Sequence, residues 1–411
     1  MTWIGKLLNE TECFEAPKEY FYWSGLAAIS ASVKDNIWIS RASEKFKTYP
    51  NIYVMLLAKT GVTRKSHPPS LVEQIVTKAN VTRVISGRGS IEKFLDDLGT
   101  AITIENNGTR KLIKDSCGFL ITGELSSSFV NNPQTLTILT HLYDRNYNVG
   151  KWTVNLKSGV KVLNKPTVSF LAATNDQHMK SWFEAKDMYG GFLGRTLVVS
   201  ADAPKRLNPL LRKNPDIPEP DIDGLAKYLQ ELSKIQGEMY IEDDVMVIFE
   251  KWYEGYYGQV LRGESDVDDK TGTFSRIGEH VLKVSMLLSL SESPDRIITK
   301  DNMLESISLC EPFVEVNKRA VRGIGKSPLA QQTAMVMEYL ESKNGFATRI
   351  NTLQRFTGDI DHEDLNRIAT TLEESGFISI ERYGNGVAYQ IPMGVLEKYR
   401  KWKLAKKGGE S

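Results

Sequence analysis

Tyr53–Ser66 reads YVMLLAKTGVTRKS, an apolar strand running into a polar loop that ends Arg64-Lys65-Ser66. In a phosphate-binding loop, successive backbone N–H groups wrap a phosphate, a lysine ammonium bridges the outer phosphates and a hydroxyl ligates Mg²⁺. Lys65 and Ser66 fill the last two roles, and Gly61, Val62, Thr63 and Arg64 supply the wrapping backbone. In G-x-x-x-x-G-K-[ST] the two glycines would fall on Lys59 and Arg64, so Gly61 is left as the loop's glycine. The amides can still cradle phosphate if Gly61 takes the unusual dihedrals. Pro68 and Pro69 then fit a helix's first turn, where N–H groups lack partners anyway, and Leu71, Ile75 and Ala79 follow at helical spacing. An ordinary strand-to-helix turn with a basic pair fits the same residues.

The chain around this stretch has 411 residues, 41% hydrophobic and 25% charged, which is core material for two or three domains. A net charge of +1 excludes a strongly basic coat, so nucleic-acid contacts must come from local clusters. Cys13, Cys117 and Cys310 lie far apart without metal-ligand spacing, and the 5 histidines show no paired spacing. Reduced thiols in a cytoplasmic protein without a zinc site are expected. The sequence shows no secretory signal and no apolar run of membrane-spanning length.

Upstream, residues 1–45 read as a helical segment whose Tyr22, Leu26, Ile29 and Val33 form one packing face. Trp38 and Ile39 begin a strand, and a boundary near residue 46 opens a core over 46–203. Downstream, VTRVISGRGS (81–90) is a short strand with a glycine turn, followed by a helix in IEKFLDDLGTA. GFLITGELSSSF (118–129) ends an apolar strand in Gly123-Glu124. ATPase strands of this type end in Asp-Glu, the Asp serving Mg²⁺ and the Glu polarising the attacking water. Here Gly123 stands at the Asp position and Glu124 survives, 59 positions after Lys65 (124 − 65). A solvent-facing Glu at a strand end is the plainer reading. VSFLAATN (168–175) is another buried-type strand, ending in a polar Asn175. Arg195, in GGFLGRTLVV, follows it by 20 positions (195 − 175) and precedes a further strand.

These stretches together carry a resemblance. FEAPKEYFYWSGLAAISA (14–31), YPNIYVMLLAKTGVTRKS (49–66), GFLITGELSSSF, TILTHLYDRNY (137–147), NKPTVSFLAATN (164–175) and GGFLGR (190–195) resemble helicase-like P-loop ATPases of phages, plasmids and integrated elements. That family is often fused to primases and is distantly similar to minichromosome-maintenance and superfamily-three helicases. The resemblance covers about residues 14–290. It implies an α/β, AAA+-like P-loop core, ATP and Mg²⁺ as cofactors, a ring with a homo-hexamer expected, and work on single-stranded or forked DNA in replication. Glu124 and Asn175 would then act in catalysis, and Arg195 would be an arginine finger for a neighbouring subunit.

GKWTVNLKSGVKVLNK (150–165) alternates in strand fashion about Lys157-Ser158-Gly159 and reads as a hairpin. The resemblance implies a pore hairpin in which Lys151, Lys157 and Lys161 contact DNA phosphates and Trp152 offers a stacking surface. A solvated surface hairpin is equally open. From Ala201 a stretch rich in proline and charge reads as a linker, so 204–325 comprise a linker and a helical lid. Arg276, at the head of a lid helix, would be a second sensor reaching the nucleotide, or a surface arginine. Residues 326–395 show helix, helix, helix and a hairpin at Asn385-Gly386, in winged-helix order. The helix at 362–375 is acidic, which favours a protein partner such as a primase over DNA, and 396–411 form a basic tail. The leading expectation is an ATP-dependent helicase-like motor. The alternative is a non-hydrolysing, nucleotide-gated DNA-binding or scaffold protein; a packaging motor ranks third.

Overall fold

Five apolar stretches pair side by side as one parallel sheet, and the rest of the first unit is built on it. This computed structural model describes all residues except 42–45, 59–62, 87–88, 101, 107–108, 114, 125–133, 145–150, 158, 176–177, 180–190, 202–218, 263–268, 270, 321–327, 385 and 409–411. The chain divides into two units, Met1–Arg322 and Gly323–Ser411.

The first unit opens with α1 (Trp3–Glu10), α2 (Lys18–Val33), β1 (Ile37–Arg41) and β2 (Phe46–Thr48). Then come β3 (Tyr53–Leu57), α3 (His67–Ala79), β4 (Arg83–Ser86), α4 (Ile91–Gly99), a hairpin of β5 (Ile102–Asn106) and β6 (Thr109–Ile113), and β7 (Cys117–Thr122). α5 (Thr135–Tyr143), the hairpin β8 (Lys151–Leu156) and β9 (Gly159–Asn164), β10 (Thr167–Thr174) and β11 (Thr196–Ser200) complete the core. The sheet order is β11-β3-β10-β7-β4, every neighbour parallel. β3, β7 and β10 are buried along their whole length. Such near-continuous apolar runs suit a parallel sheet covered on both faces.

The expected single apolar face of the first long helix is not what forms. α2 is buried from Tyr20 to Val33 except at Tyr22, whose hydroxyl donates to Glu305 at 2.7 Å. Its serines allow this: Ser30 Oγ lies 2.7 Å from Ser169 Oγ on β10 and accepts from Ile52 N. Buried hydroxyls paired in this way avoid the cost of an unmatched polar group.

The described residues of 1–41 and 221–320 share one core with the sheet and are not separate bodies. The Trp3 indole donates to Leu225 O at 3.0 Å, and Ile4 N to Ser291 Oγ at 3.0 Å. The region expected as all-helical contains α6 (Ile222–Leu232), β12 (Gly237–Glu238), β13 (Tyr240–Ile241), α7 (Asp243–Leu261), α8 (Ile277–Glu292), β14 (Ile297–Ile298), α9 (Lys300–Cys310) and α10 (Phe313–Ala320). Its short strands were not expected. β12 pairs in parallel with β1, and β13 with β14; two-residue strands have too little periodicity to read. A Thr299–Asn302 capping box starts α9, a feature worth about 1 kcal/mol. The expected linker lies almost wholly outside the described residues.

The second unit runs α11 (Pro328–Ser342), β15 (Phe346–Thr348), α12 (Arg349–Arg355), α13 (His362–Glu374), β16 (Ser379–Tyr383), β17 (Gly386–Gln390) and α14 (Met393–Gly408). Its antiparallel sheet has the order β15-β17-β16. The three helices and the hairpin read from sequence are present; β15 is an addition. Gly345, at φ +88, ends α11 by donating to Leu340 O, and a β-carbon there would lie 3.3 Å from Leu396. The tail is not free from its start: Leu396, on α14, is buried with Val336, Leu340 and Ile391 in this unit's own core. No helix among the described residues is long and apolar enough to cross a membrane.

Candidate functional site

From β3 the chain passes through α3 to the far edge at β4, returns to β7 and β10, and then crosses β3 to reach β11. The connections that leave the neighbouring strands β3 and β10 therefore run in opposite directions across the sheet. Open α/β sheets bind ligands in the crevice that such a switch point creates at the carboxyl ends of the strands. The loop after β3 lies at that end, and Lys65, Ser66, Gly123, Glu124 and Asn175 all follow the carboxyl ends of β3, β7 or β10.

Within the loop, Gly61 and Val62 lie outside the described residues. Among the described loop residues, the left-handed backbone falls on Arg64, at φ +47, the position of the motif's second glycine. Its guanidinium donates to Glu15 Oε2 at 2.8 Å. Thr63 is 3% exposed, and its hydroxyl has no hydrogen-bond partner among the described residues. The Lys65 ammonium lies 3.5 Å from Ala58 O, at the end of β3. Ser66 precedes α3, and its hydroxyl makes no cap bond. Burial, reinforced by the charge of Arg64, holds His67 below the usual histidine pKa; its ring packs 4.7 Å from that of Phe14.

The end of β7 meets this turn directly. A β-carbon on Gly123 would lie 3.2 Å from Ser66 Cβ. Glu124 is exposed, its carboxylate 3.9 Å from His178 Nδ1, and its carbonyl accepts from Thr122 Oγ1. Asn175 uses Oδ1 to accept from His178 N at 2.8 Å, so its side chain caps its own turn. His178 was missed from sequence. The one signal was its place three residues after Asn175, a capping distance.

The other expected residues are at the opposite, amino edge. Arg195 ends a single 3₁₀ turn (Leu193–Arg195) before Thr196, which pairs with Tyr53 at the start of β3. Five-residue strands place this edge roughly 15 Å from the loop. Nε donates to Asp144 Oδ1 at 3.0 Å, Nη2 to Asp144 Oδ2, and Nη1 to Gly191 O at 2.9 Å. Burial opposes its charge, but Asp144 prevails and raises its pKa.

Arg276 is corrected from its expected place at the nucleotide. It donates to Gly272 O at 3.1 Å, and a β-carbon on Gly191 would have both Arg195 Nη1 and Arg276 Nη2 within 3.7 Å. It therefore stands beside Arg195 and not beside Lys65, because the turn before α8 packs against the Leu193–Arg195 turn. Below these arginines, the Lys283 ammonium is buried. It donates to Asn51 O and Oδ1 at 3.0 and 2.9 Å, pairs with Glu279 at 3.2 Å, and lies 3.7 Å from the Tyr143 ring centre. Asn51 in turn donates to Tyr143 O, fixing the end of α5 next to Asp144.

The β8–β9 hairpin also leaves the amino edge, since Ser116 and Asn164 bond to each other where β9 runs into β10. Lys151 and Lys157 are exposed. Lys161 is not a free phosphate contact, because its ammonium is paired with Asp96 on α4.

Beside the loop, a cavity of about 900 Å³ is lined by Gly5, Leu8, Phe14, Glu15, Pro17 and Ala201, among others. Its β11 wall, Ser200 to Ala201, is level with the end of β3, since Ser200 pairs with Leu57. A volume of this size admits a nucleoside. Among the described residues no cluster of three His, Cys, Asp or Glu could hold a metal. The oxygen donors that suit a phosphate-bound Mg²⁺ are Ser66 Oγ and Glu124. That ion keeps several waters and takes one or two carboxylates. No protein-family model matches this chain, and no curated protein matches it.

Proposed function

We propose that this chain is an ATP-driven, DNA-acting motor of the helicase type that works as a ring of subunits. The observation that carries the reading is the meeting of Ser66 with Gly123 at the sheet's switch point. It brings loop, acid and asparagine to one edge, while Arg195 lies at the other. Lys65 and the loop amides hold the triphosphate, Ser66 and Glu124 hold Mg²⁺, which neutralises phosphate charge when bound, and Glu124 orients the attacking water. Asn175 donates to the γ-phosphate or that water. Arg195 is too far from its own loop, so its partner site is in a neighbouring subunit. The exposed hairpin lysines, Lys151 and Lys157, contact DNA.

The second unit is read as a winged helix that docks on a replication protein such as a primase. Its helix α13, with Asp361 as N-cap, carries Glu363, Asp364, Glu373 and Glu374, and its Arg367 lies 3.8 Å from both Glu363 and Asp364. That surface repels phosphates.

A non-hydrolysing, nucleotide-gated scaffold is favoured by one specific observation: Gly123 leaves no carboxylate at the Asp position. Phosphate release with and without single-stranded DNA decides between the two readings. Lys65→Ala should abolish ATP binding, and Glu124→Gln should keep binding and lose turnover. Wild-type turnover in Glu124→Gln would remove Glu124 from the mechanism, and absence of turnover in the unaltered chain would favour the scaffold.

A further inference from the structure

We infer that Glu15 is a positioning residue for the phosphate loop, holding Arg64 in the backbone geometry that a glycine supplies in the usual motif. The inference rests on the reading of that loop as a nucleotide site. Arg64 has φ +47, where a side chain crowds its own backbone and glycine does not. An arginine there must be held, and the 2.8 Å bond from its Nε to Glu15 Oε2 supplies the hold. Glu15 is itself well placed to anchor. Its side chain is 17% exposed, and it lies between Phe14, whose ring packs on Phe21 and His67, and Pro17, which starts α2.

The turn so fixed is the one that presents the lysine and the hydroxyl. Arg64 O accepts from His67 N at 3.0 Å, closing the turn across Lys65 and Ser66 into α3. Buried Thr63, whose hydroxyl has no partner among the described residues, adjoins it on the other side. An ion pair with a 64%-exposed arginine adds little to overall stability. Its consequence is local, and it belongs in ligand affinity. Glu15 also lines the cavity beside the loop, so one side chain links the nucleoside-sized space to the phosphate grip.

The test is ATP binding by calorimetry on the full chain, with thermal melting to confirm folding. Glu15→Ala and Arg64→Ala should each weaken ATP binding about fivefold, the scale of one left-handed non-glycine residue. Arg64→Gly should bind about fivefold more tightly than Arg64→Ala, because glycine needs no hold. Adding Glu15→Ala to Arg64→Gly should cost nothing further. Glu15→Gln, which retains size and a hydrogen-bond acceptor, should fall between Glu15→Ala and the unaltered chain. Equal affinities for Arg64→Ala and Arg64→Gly, or an undiminished cost of Glu15→Ala in the Arg64→Gly background, would overturn the positioning role. If Lys65→Ala leaves ATP affinity unchanged, the nucleotide reading fails, and this inference with it.

Discussion

Gly123 and Ser66 are in such close approach that a β-carbon on the first would lie 3.2 Å from Cβ of the second and 3.5 Å from its carbonyl oxygen. The end of β7 thus rests on the turn that presents Ser66, and a side chain at position 123, the motif's Asp position, requires that turn to give by a few tenths of an ångström. Gly123→Ala should weaken ATP binding several-fold with little change in melting temperature. Gly123→Asp should do so more strongly. Calorimetric titration of both checks this, and an Asp variant that binds and turns over ATP better than the unaltered chain would show that the turn yields freely.

Arg195 lies at the sheet edge opposite the loop, so the proposed function requires that any effect it has on hydrolysis cross between subunits. Arg195→Ala mixed with Glu124→Gln should recover part of the turnover that each lacks alone, because a mixed interface pairs an intact loop with an intact arginine. Steady-state phosphate release on mixtures shown to exchange subunits measures it. No recovery would leave Arg195 a structural partner of Asp144.

For DNA, the engaged Lys161 shifts the test to its exposed neighbours. Lys151→Ala with Lys157→Ala should lower the slope of log affinity against log salt by about 0.7 per lost single-strand contact and remove DNA-stimulated hydrolysis. Lys161→Ala should act by loosening the hairpin from Asp96. The basic end is best removed after Lys401 and not after Pro392, since Leu396 is part of the second unit's core. That truncation should weaken DNA affinity yet leave stimulation at saturating DNA. If it abolishes stimulation, the tail holds the DNA.

His280 makes stability depend on pH. Burial depresses its pKa from 6.5 to about 4, although its bond to Gly194 O and the charge of Glu279 oppose the shift; Lys283 and Arg276 add to it. Nε2 lies 2.8 Å from that carbonyl and so carries the proton, leaving Nδ1 buried without a partner among the described residues. The unfolded chain therefore binds the extra proton first. The stabilisation is full above pH 6.5 and declines as pH falls towards 4, by at most about 3 kcal/mol. Urea unfolding between pH 7 and 4.5 should show the decline, and His280→Gln should flatten it. An equal pH slope in the variant would assign the effect to other groups.

What the sequence determined by itself was the set of buried strands and the chemistry at their ends. YVMLL, GFLIT and VSFLAAT are apolar without interruption, so each had to lie inside a covered sheet, and each runs into the polar residue types of a phosphate site. The second unit was legible for a similar reason: its helices and its hairpin carry local periodicity and turn residues. Only the tertiary structure decided which ends meet. Strand order is a property of non-local pairing, and it put Lys65, Glu124 and Asn175 at one edge and sent Arg195, Arg276 and the hairpin to the other. The left-handed conformation of Arg64, the contact of Gly123 with Ser66 and the capture of Lys161 by Asp96 arise from residues 49, 57 and 65 positions apart in sequence (64 − 15, 123 − 66 and 161 − 96). Local spacing does not encode such contacts, because they exist only once the chain has closed those loops and packed.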